Sequence, residues 1–143
     1  MKLIKTCFIL LFYLLSAHVS AEQMEKLGNF EVHYIAFGST FITPEIARAY
    51  KLERSKYNGL INISILDTTQ RGKPSVKAKV TGFGKNLLGH KKDLNFKEIV
   101  EGDAVYYIAQ IRYTNEEMFL FNIDIDTEKT DHKLTFSQKF YVD

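Results

Sequence analysis

Val105-Tyr106-Tyr107-Ile108-Ala109-Gln110-Ile111-Arg112-Tyr113, followed after Thr114-Asn115-Glu116-Glu117-Met118 by Phe119-Leu120-Phe121-Asn122-Ile123-Asp124-Ile125, is the stretch on which the fold turns. Its apolar residues recur at every second position. Val105, Tyr107, Ala109, Ile111 and Tyr113 share one face of the first run, and Phe119, Phe121, Ile123 and Ile125 share one face of the second. A period of two belongs to an extended chain with one buried face, and β-branched and aromatic side chains suit that surface. With Asn115-Glu116 as the turn, the two runs are expected to pair as a β-hairpin.

The same period continues outward. Towards the C-terminus Leu134, Phe136, Phe140 and Val142 alternate with Lys133, Thr135, Ser137 and Lys139. Towards the N-terminus Glu101-Gly102-Asp103 reads as a tight turn, preceded by one strand through Leu94, Phe96 and Val100 with Lys97 exposed. Gly82, Gly84 and Gly89 break the pattern around Leu87-Leu88. Before them Val76, Ala78 and Val80 alternate with Lys77 and Lys79, behind a loop over residues 67–74. Asn58-Gly59 marks a turn into a strand whose Ile61, Ile63 and Ile65 share a face. The first strand covers residues 30–37, with Phe30, Val32, Tyr34 and Ala36 opposite Glu31 and His33.

Between these first two strands Thr43 offers an N-cap, Pro44 the first helical position and Glu45 an acid near the positive helix end, so one short helix is expected there. Seven or eight short strands, each with one apolar face, predict an all-β fold of two packed antiparallel sheets. The expected architecture is a β-sandwich of immunoglobulin-like topology, with a small closed barrel as the alternative.

Upstream, Met1, Lys2 and Lys5 precede an apolar run over residues 7–15, and Val19 and Ala21 suit the minus-three and minus-one positions of a signal peptidase. Residues 1–21 are therefore expected to be a cleavable signal peptide, cut between Ala21 and Glu22, leaving residues 22–143 as one domain. A run of about nine apolar residues falls short of the roughly 20 that a permanent bilayer helix needs, so no integral membrane segment is expected after cleavage. Cys7, the only cysteine, leaves with the leader, so the exported domain has no disulfide and depends on its core.

Cleavage removes Lys2 and Lys5 and no acid, so the 19 basic groups fall to 17 and balance the 17 acidic ones. Zero net charge disfavours a nucleic-acid partner, which needs a clustered basic surface, and gives no reason to expect an anionic membrane surface.

Several stretches carry a resemblance: residues 30–34, the Ser39-Thr40-Phe41-Ile42-Thr43-Pro44-Glu45-Ile46-Ala47-Arg48-Ala49-Tyr50 segment, Arg54-Ser55-Lys56, Asn62-Ile63-Ser64-Ile65, Glu101-Gly102-Asp103-Ala104 and Phe140-Tyr141-Val142-Asp143. Together they resemble a family of uncharacterised exported proteins of gamma-proteobacteria, the domain of unknown function DUF4426, over essentially the whole mature chain. The resemblance implies a Gram-negative periplasm and a β-sandwich. It implies no activity, cofactor or site.

The mature chain has no cysteine and no Gly-x-Ser-x-Gly elbow, and Gly38-Ser39-Thr40 reads as turn chemistry. His33, His90 and His132 occur singly, without metal-ligand spacing. Asp124, Asp126, Glu128 and Asp131 open like a calcium loop, but Lys129 stands where glycine must turn the chain and Thr135 where a bidentate glutamate belongs. No catalytic residue, metal site or cofactor is therefore assigned. Asn62-Ile63-Ser64 matches a glycosylation sequon inside a strand of a bacterial-type sequence, which marks it as coincidence. Tyr106, Arg112 and Tyr113 fit cross-strand packing better than a recognition face.

The segment least explained by packing is the insertion over residues 39–56, where Arg48, Tyr50, Arg54 and Ser55 are the candidate binding residues. The competing reading is a helical plug that caps one end of the core through Ile46, Ala49 and Leu52. The expected function is a non-catalytic periplasmic binding or accessory module, acting through loops or an edge strand on an envelope protein. An enzyme of unrecognised type and a structural subunit of an envelope assembly are the alternatives.

Overall fold

The computed structural model describes residues 22–142, so the expected leader and its Ala21 cleavage position lie outside the described residues. Nine strands follow one another: β1 (Gln23–Leu27), β2 (Phe30–Gly38), β3 (Asn58–Asp67), β4 (Lys79–Asn86), β5 (Lys91–Leu94), β6 (Lys97–Glu101), β7 (Ala104–Arg112), β8 (Glu117–Asp126) and β9 (Asp131–Phe140). A 3-10 turn (Ser39–Phe41) and helix α1 (Pro44–Tyr50) stand between β2 and β3. The strands form a five-stranded sheet, β1-β2-β3-β7-β6, and a four-stranded sheet, β5-β4-β8-β9, antiparallel throughout. With β1 and β5 set aside, β2-β3-β7-β6 facing β4-β8-β9 is the strand order of an immunoglobulin constant-type sandwich.

The core is made by the predicted faces. Ile61, Ile63 and Ile65 of one sheet meet Phe119, Phe121, Ile123, Ile125 and Leu134 of the other, all essentially shielded from solvent. At roughly 1.5–3 kcal/mol for each large apolar side chain fully buried, this face alone supplies the main drive for two sheets to stack.

Pairing corrects the expected hairpin. β7 bonds to β3 and β6, whereas β8 bonds to β4 and β9, so the two strongest runs lie in opposite sheets. Residues 113–116 carry the chain across the core: the Tyr113 N–H bonds the Tyr57 carbonyl at 2.9 Å while its ring stacks on Phe140 at 4.7 Å. Alternation marks which face is buried but not which strand lies alongside. The hairpin is instead β8–β9, closed by Thr127, whose Oγ1 donates to the Thr130 carbonyl at 2.9 Å.

Four local expectations change for related reasons. Asn58-Gly59 is not a turn but the start of β3, where a Cβ on Gly59 would press to 2.7 Å from the Phe140 ring. Gly82 and Gly84 do not interrupt a strand but sit within β4; a Cβ at Gly82 would run into the Asn122 carbonyl, and one at Gly84 would lie 2.9 Å from both Ile111 and Phe121. Residues 76–78 are not a strand because they cross between sheets: the Val76 N–H bonds the Ile65 carbonyl, whereas the Ala78 N–H bonds the Tyr107 hydroxyl, each at 2.8 Å. The single strand expected around Leu94 to Val100 is two, β5 in one sheet and β6 in the other.

Helix α1 has the predicted start, the Thr43 hydroxyl accepting the Ile46 N–H at 3.3 Å, and it ends at Lys51 in the left-handed conformation. It follows the second strand rather than the first, because β1 precedes the strand expected to open the fold. The plug is also placed differently. Ala47 and Leu52 bury against Leu60, with Phe37, Ile42, Tyr50 and Ile108 around them, on the outer face of the five-stranded sheet. Ile46 and Ala49 remain exposed, so the helix covers a sheet face and does not cap the main core.

Candidate functional site

The insertion divides its candidate residues between holding and display. Arg48 is exposed and pairs with Glu45 at 3.9 Å. Tyr50 is half-buried against the small cluster of Ala47, Leu52 and Leu60. Arg54 donates from Nε to the Ile42 carbonyl at 2.8 Å and from Nη2 to the Thr40 carbonyl at 3.3 Å. Those carbonyls flank Phe41. Ser55 exchanges two hydrogen bonds with the fully buried Ser39 at the base of the same turn. Arg54 and Ser55 thus brace the peptide that throws Phe41 into solvent, while Arg48 and Tyr50 lie along the helix.

Phe41 opens onto one end of the sandwich. β2, β4, β7 and β9 run towards that end and β3, β5 and β8 leave it, so three connections and the segment after β9 meet there although they are far apart in sequence. The large apolar residues on them are unusually exposed: Phe41 80%, Tyr57 50%, Leu87 84%, Leu88 81% and Tyr141 54%. They make up five of the nine exposed large hydrophobics among the described residues, which singles out this end as a surface built for contact. Lys85, His90 and Lys91 stand exposed around Leu87 and Leu88, and Lys139 lies over the Tyr141 ring at 5.5 Å.

The opposite end is polar. Its connections carry Thr68, Thr69 and Gln70, then Glu101 and Asp103, then Glu128 with Asp126 and Asp131 at the foot of the hairpin. The Asp126 carboxyl, hydrogen-bonded beside Asp131, holds the Asp131 carboxyl above its ordinary value, with burial and Asp124 adding to the rise. A shallow cavity of about 270 Å³ lies beside this pair, lined by Lys79, Thr81, Asp124, His132 and Lys133 among others. On the outer face of the five-stranded sheet Glu31 is buried under Lys73, whose Nζ donates to it at 2.7 Å; this bond, aided by His33, holds the Glu31 carboxyl below its ordinary range.

The other residues weighed from sequence are dispersed. His33 is on β2, His90 in the β4–β5 turn and His132 on β9. Tyr113 is in the core, Tyr106 faces away from it, and Arg112 pairs with Glu53 at 3.2 Å. Asn62 lies in the middle of β3. The apolar end is not legible in the sequence because Leu87-Leu88 and Phe41 are isolated breaks in alternation, and only strand pairing brings them to the same end of the sandwich.

Residues 24–143 match the family described as Domain of unknown function (DUF4426). A DUF4426 family protein from Pseudomonas aeruginosa is similar in structure, with a TM-score of 0.75 and 33% identity over 85% of this chain and 96% of that one. Escherichia coli FetP, produced recombinantly in the periplasm, is similar with a TM-score of 0.60 and 12% identity over 86% of this chain and 95% of that one. The copper-reconstituted P19 protein of Campylobacter jejuni is similar with a TM-score of 0.55 and 15% identity over 85% of this chain and 95% of that one. At 12% and 15% identity these last two likenesses concern the fold alone. No match was found among curated proteins.

Proposed function

The chain belongs to the DUF4426 family, and for this member we propose a non-catalytic periplasmic binding or accessory module that works through the apolar end of its sandwich. The observation that carries the reading is the gathering of Phe41, Tyr57, Leu87, Leu88 and Tyr141 at one end, opposite an end that is polar. Exposed apolar surface costs solubility, and a fold keeps it where a contact offsets that cost. Export is supported by the leader-like sequence of residues 1–21, and the Ala21–Glu22 bond is the proposed cleavage point.

The loops are favoured over the sheet edges. Three of the four edge strands, β1, β5 and β6, have only four or five residues and carry Lys26, Lys91, Lys92 or Lys97, and the fourth, the ten-residue β9, carries Lys133 and Lys139, features that blunt an edge against pairing. The copper of the P19 protein is not assigned to this chain. Among the described residues no three His, Cys, Asp or Glu side chains are grouped to hold a metal ion.

The test is retention of the secreted chain by a total envelope fraction. Wild type is expected to be retained, and a Phe41→Ser, Leu87→Ser, Leu88→Ser variant to be lost, with Arg48→Gln showing whether the helix contributes. Equal retention of wild type and the triple variant would remove this end from the function. N-terminal sequencing of the periplasmic product is expected to begin at Glu22.

A further inference from the structure

Resting on the reading that this end is the working surface, we infer that its occupant is an anionic bilayer surface, with Leu87 and Leu88 entering it and the flanking lysines meeting its headgroups. The two leucines are not a frayed tip. The Asn86 side chain accepts from the Leu88 N–H at 3.1 Å and from the His90 N–H at 2.8 Å, and its own amide donates to Glu117 at 2.9 Å. Gly89 turns the chain at φ +85, so the pair is presented on a rigid hairpin and little ordering cost remains to be met on binding.

What surrounds the leucines selects lipid over protein. Lys85, His90 and Lys91 are exposed beside them, and Lys139 and the half-exposed Tyr57 and Tyr141 stand further out on the same end. Lysine is depleted from protein–protein interfaces. At a bilayer, by contrast, its stem lies along acyl chains while its ammonium reaches phosphate, and tyrosine sits at the headgroup level. Asp93 and Glu116 are exposed acids of this end, Glu53 is paired with Arg112, and Glu117 is tied to Asn86.

The zero net charge of the mature sequence does not oppose this. Strands of nine or ten residues separate the two ends by roughly 30 Å, whereas charges are screened beyond about 8–10 Å at physiological salt. A surface touching the lysine end therefore does not feel Glu101, Asp103, Asp126 and Asp131 at the other. The fold thus gives a neutral composition one apolar end flanked by Lys85, Lys91 and Lys139, and an opposite end where Glu101, Asp103, Asp126, Glu128 and Asp131 stand with Arg71, Lys73 and Lys129.

The test is co-sedimentation of residues 22–143 with vesicles of phosphatidylcholine alone or mixed with phosphatidylglycerol. Binding is expected only with phosphatidylglycerol and is expected to be lost in about 0.5 M salt, where screening is short. Leu87→Ser with Leu88→Ser should lower partitioning by about tenfold or more, and Lys85→Gln and Lys91→Gln by about fivefold each. Arg71→Gln and Lys129→Gln at the far end should leave it unchanged. Thermal unfolding of each variant confirms that only the tip has changed. Equal binding to both vesicles, or none to either, overturns the lipid assignment. If the envelope fraction still retains the chain through Leu87 and Leu88 while vesicles do not, the occupant is a protein and the module reading stands. If neither binds, both fall.

Discussion

Ser39 and Ser55 close the neck of the insertion by exchanging two hydrogen bonds, the Ser39 hydroxyl donating to the Ser55 carbonyl and accepting from the Ser55 N–H, each at 2.9 Å. Ser39 is fully buried, so neither bond has a water to replace it. Ser39→Ala would strand both backbone groups of Ser55. The expected cost is about 1–3 kcal/mol, read as a lower urea midpoint. An unchanged midpoint would mean that the neck closes without this pair.

Tyr107 satisfies the backbone where the chain changes sheets. Its hydroxyl accepts from the Ala78 N–H at 2.8 Å and donates to Glu98 at 3.1 Å, although the ring lies in the core. Tyr107→Phe keeps the packing and removes both bonds, so a loss of about 1–2 kcal/mol is expected. Hydrogen exchange at the Ala78 amide should accelerate, while amides in β3 and β8 should not. Equal protection at Ala78 would refute the crossing role.

Two carboxylates give opposite dependences on pH. Glu31, lowered from its ordinary value near 4.5 by the Lys73 bond, binds protons less readily folded than unfolded. Its contribution is therefore present above that value and is lost as pH falls through the lower folded one. Asp131, raised from 3.8 by Asp126, holds its proton better when folded, so its contribution is present at low pH and is lost as pH rises through the raised value. At neutral pH Glu31→Gln should lower the melting temperature and Asp131→Asn should raise it. Both differences should shrink towards strongly acidic pH. Shifts of the same sign for both variants at neutral pH would contradict this geometry.

Gly82 and Gly72 should respond differently to alanine. At Gly82 the new Cβ meets the Asn122 carbonyl and lies 3.0 Å from the Ile123 Cα, so β4 must move off β8; a loss of about 3 kcal/mol is expected. Gly72 has open space but φ +80, which costs an L-residue about 1 kcal/mol. Chemical denaturation of the two variants would settle the order, and a harmless Gly82→Ala would undo the close-approach account.

Alternation was a trustworthy guide to burial. Ile61, Ile63 and Ile65, and equally Phe119 to Ile125, lie inward as their spacing demands, because the side-chain period of a strand is local and needs no partner to be read. The helix start at Thr43-Pro44 was legible for the same reason, its cap being satisfied within three residues. Glycine was misread at positions 59, 82 and 84, since a residue without Cβ signals either a turn or a neighbour pressing close, and only the neighbour distinguishes them. Of the candidate site, Arg54 and Ser55 were found as polar residues in an insertion. That they brace Phe41 was not visible, because the hydrogen bonds concerned join positions 12 to 16 residues apart.

The chain by itself determined two facing sets of half-apolar strands, one short helix and a balance of charges over residues 22–143, all of which rest on residues close together in sequence or on simple counts. Strand partners, the sheet face that the helix covers and the gathering of Phe41, Leu87, Leu88 and flanking lysines at one end were decided only in three dimensions. Antiparallel pairing gathers strand ends that sequence keeps tens of residues apart, and screening then lets each end act as though the other were absent.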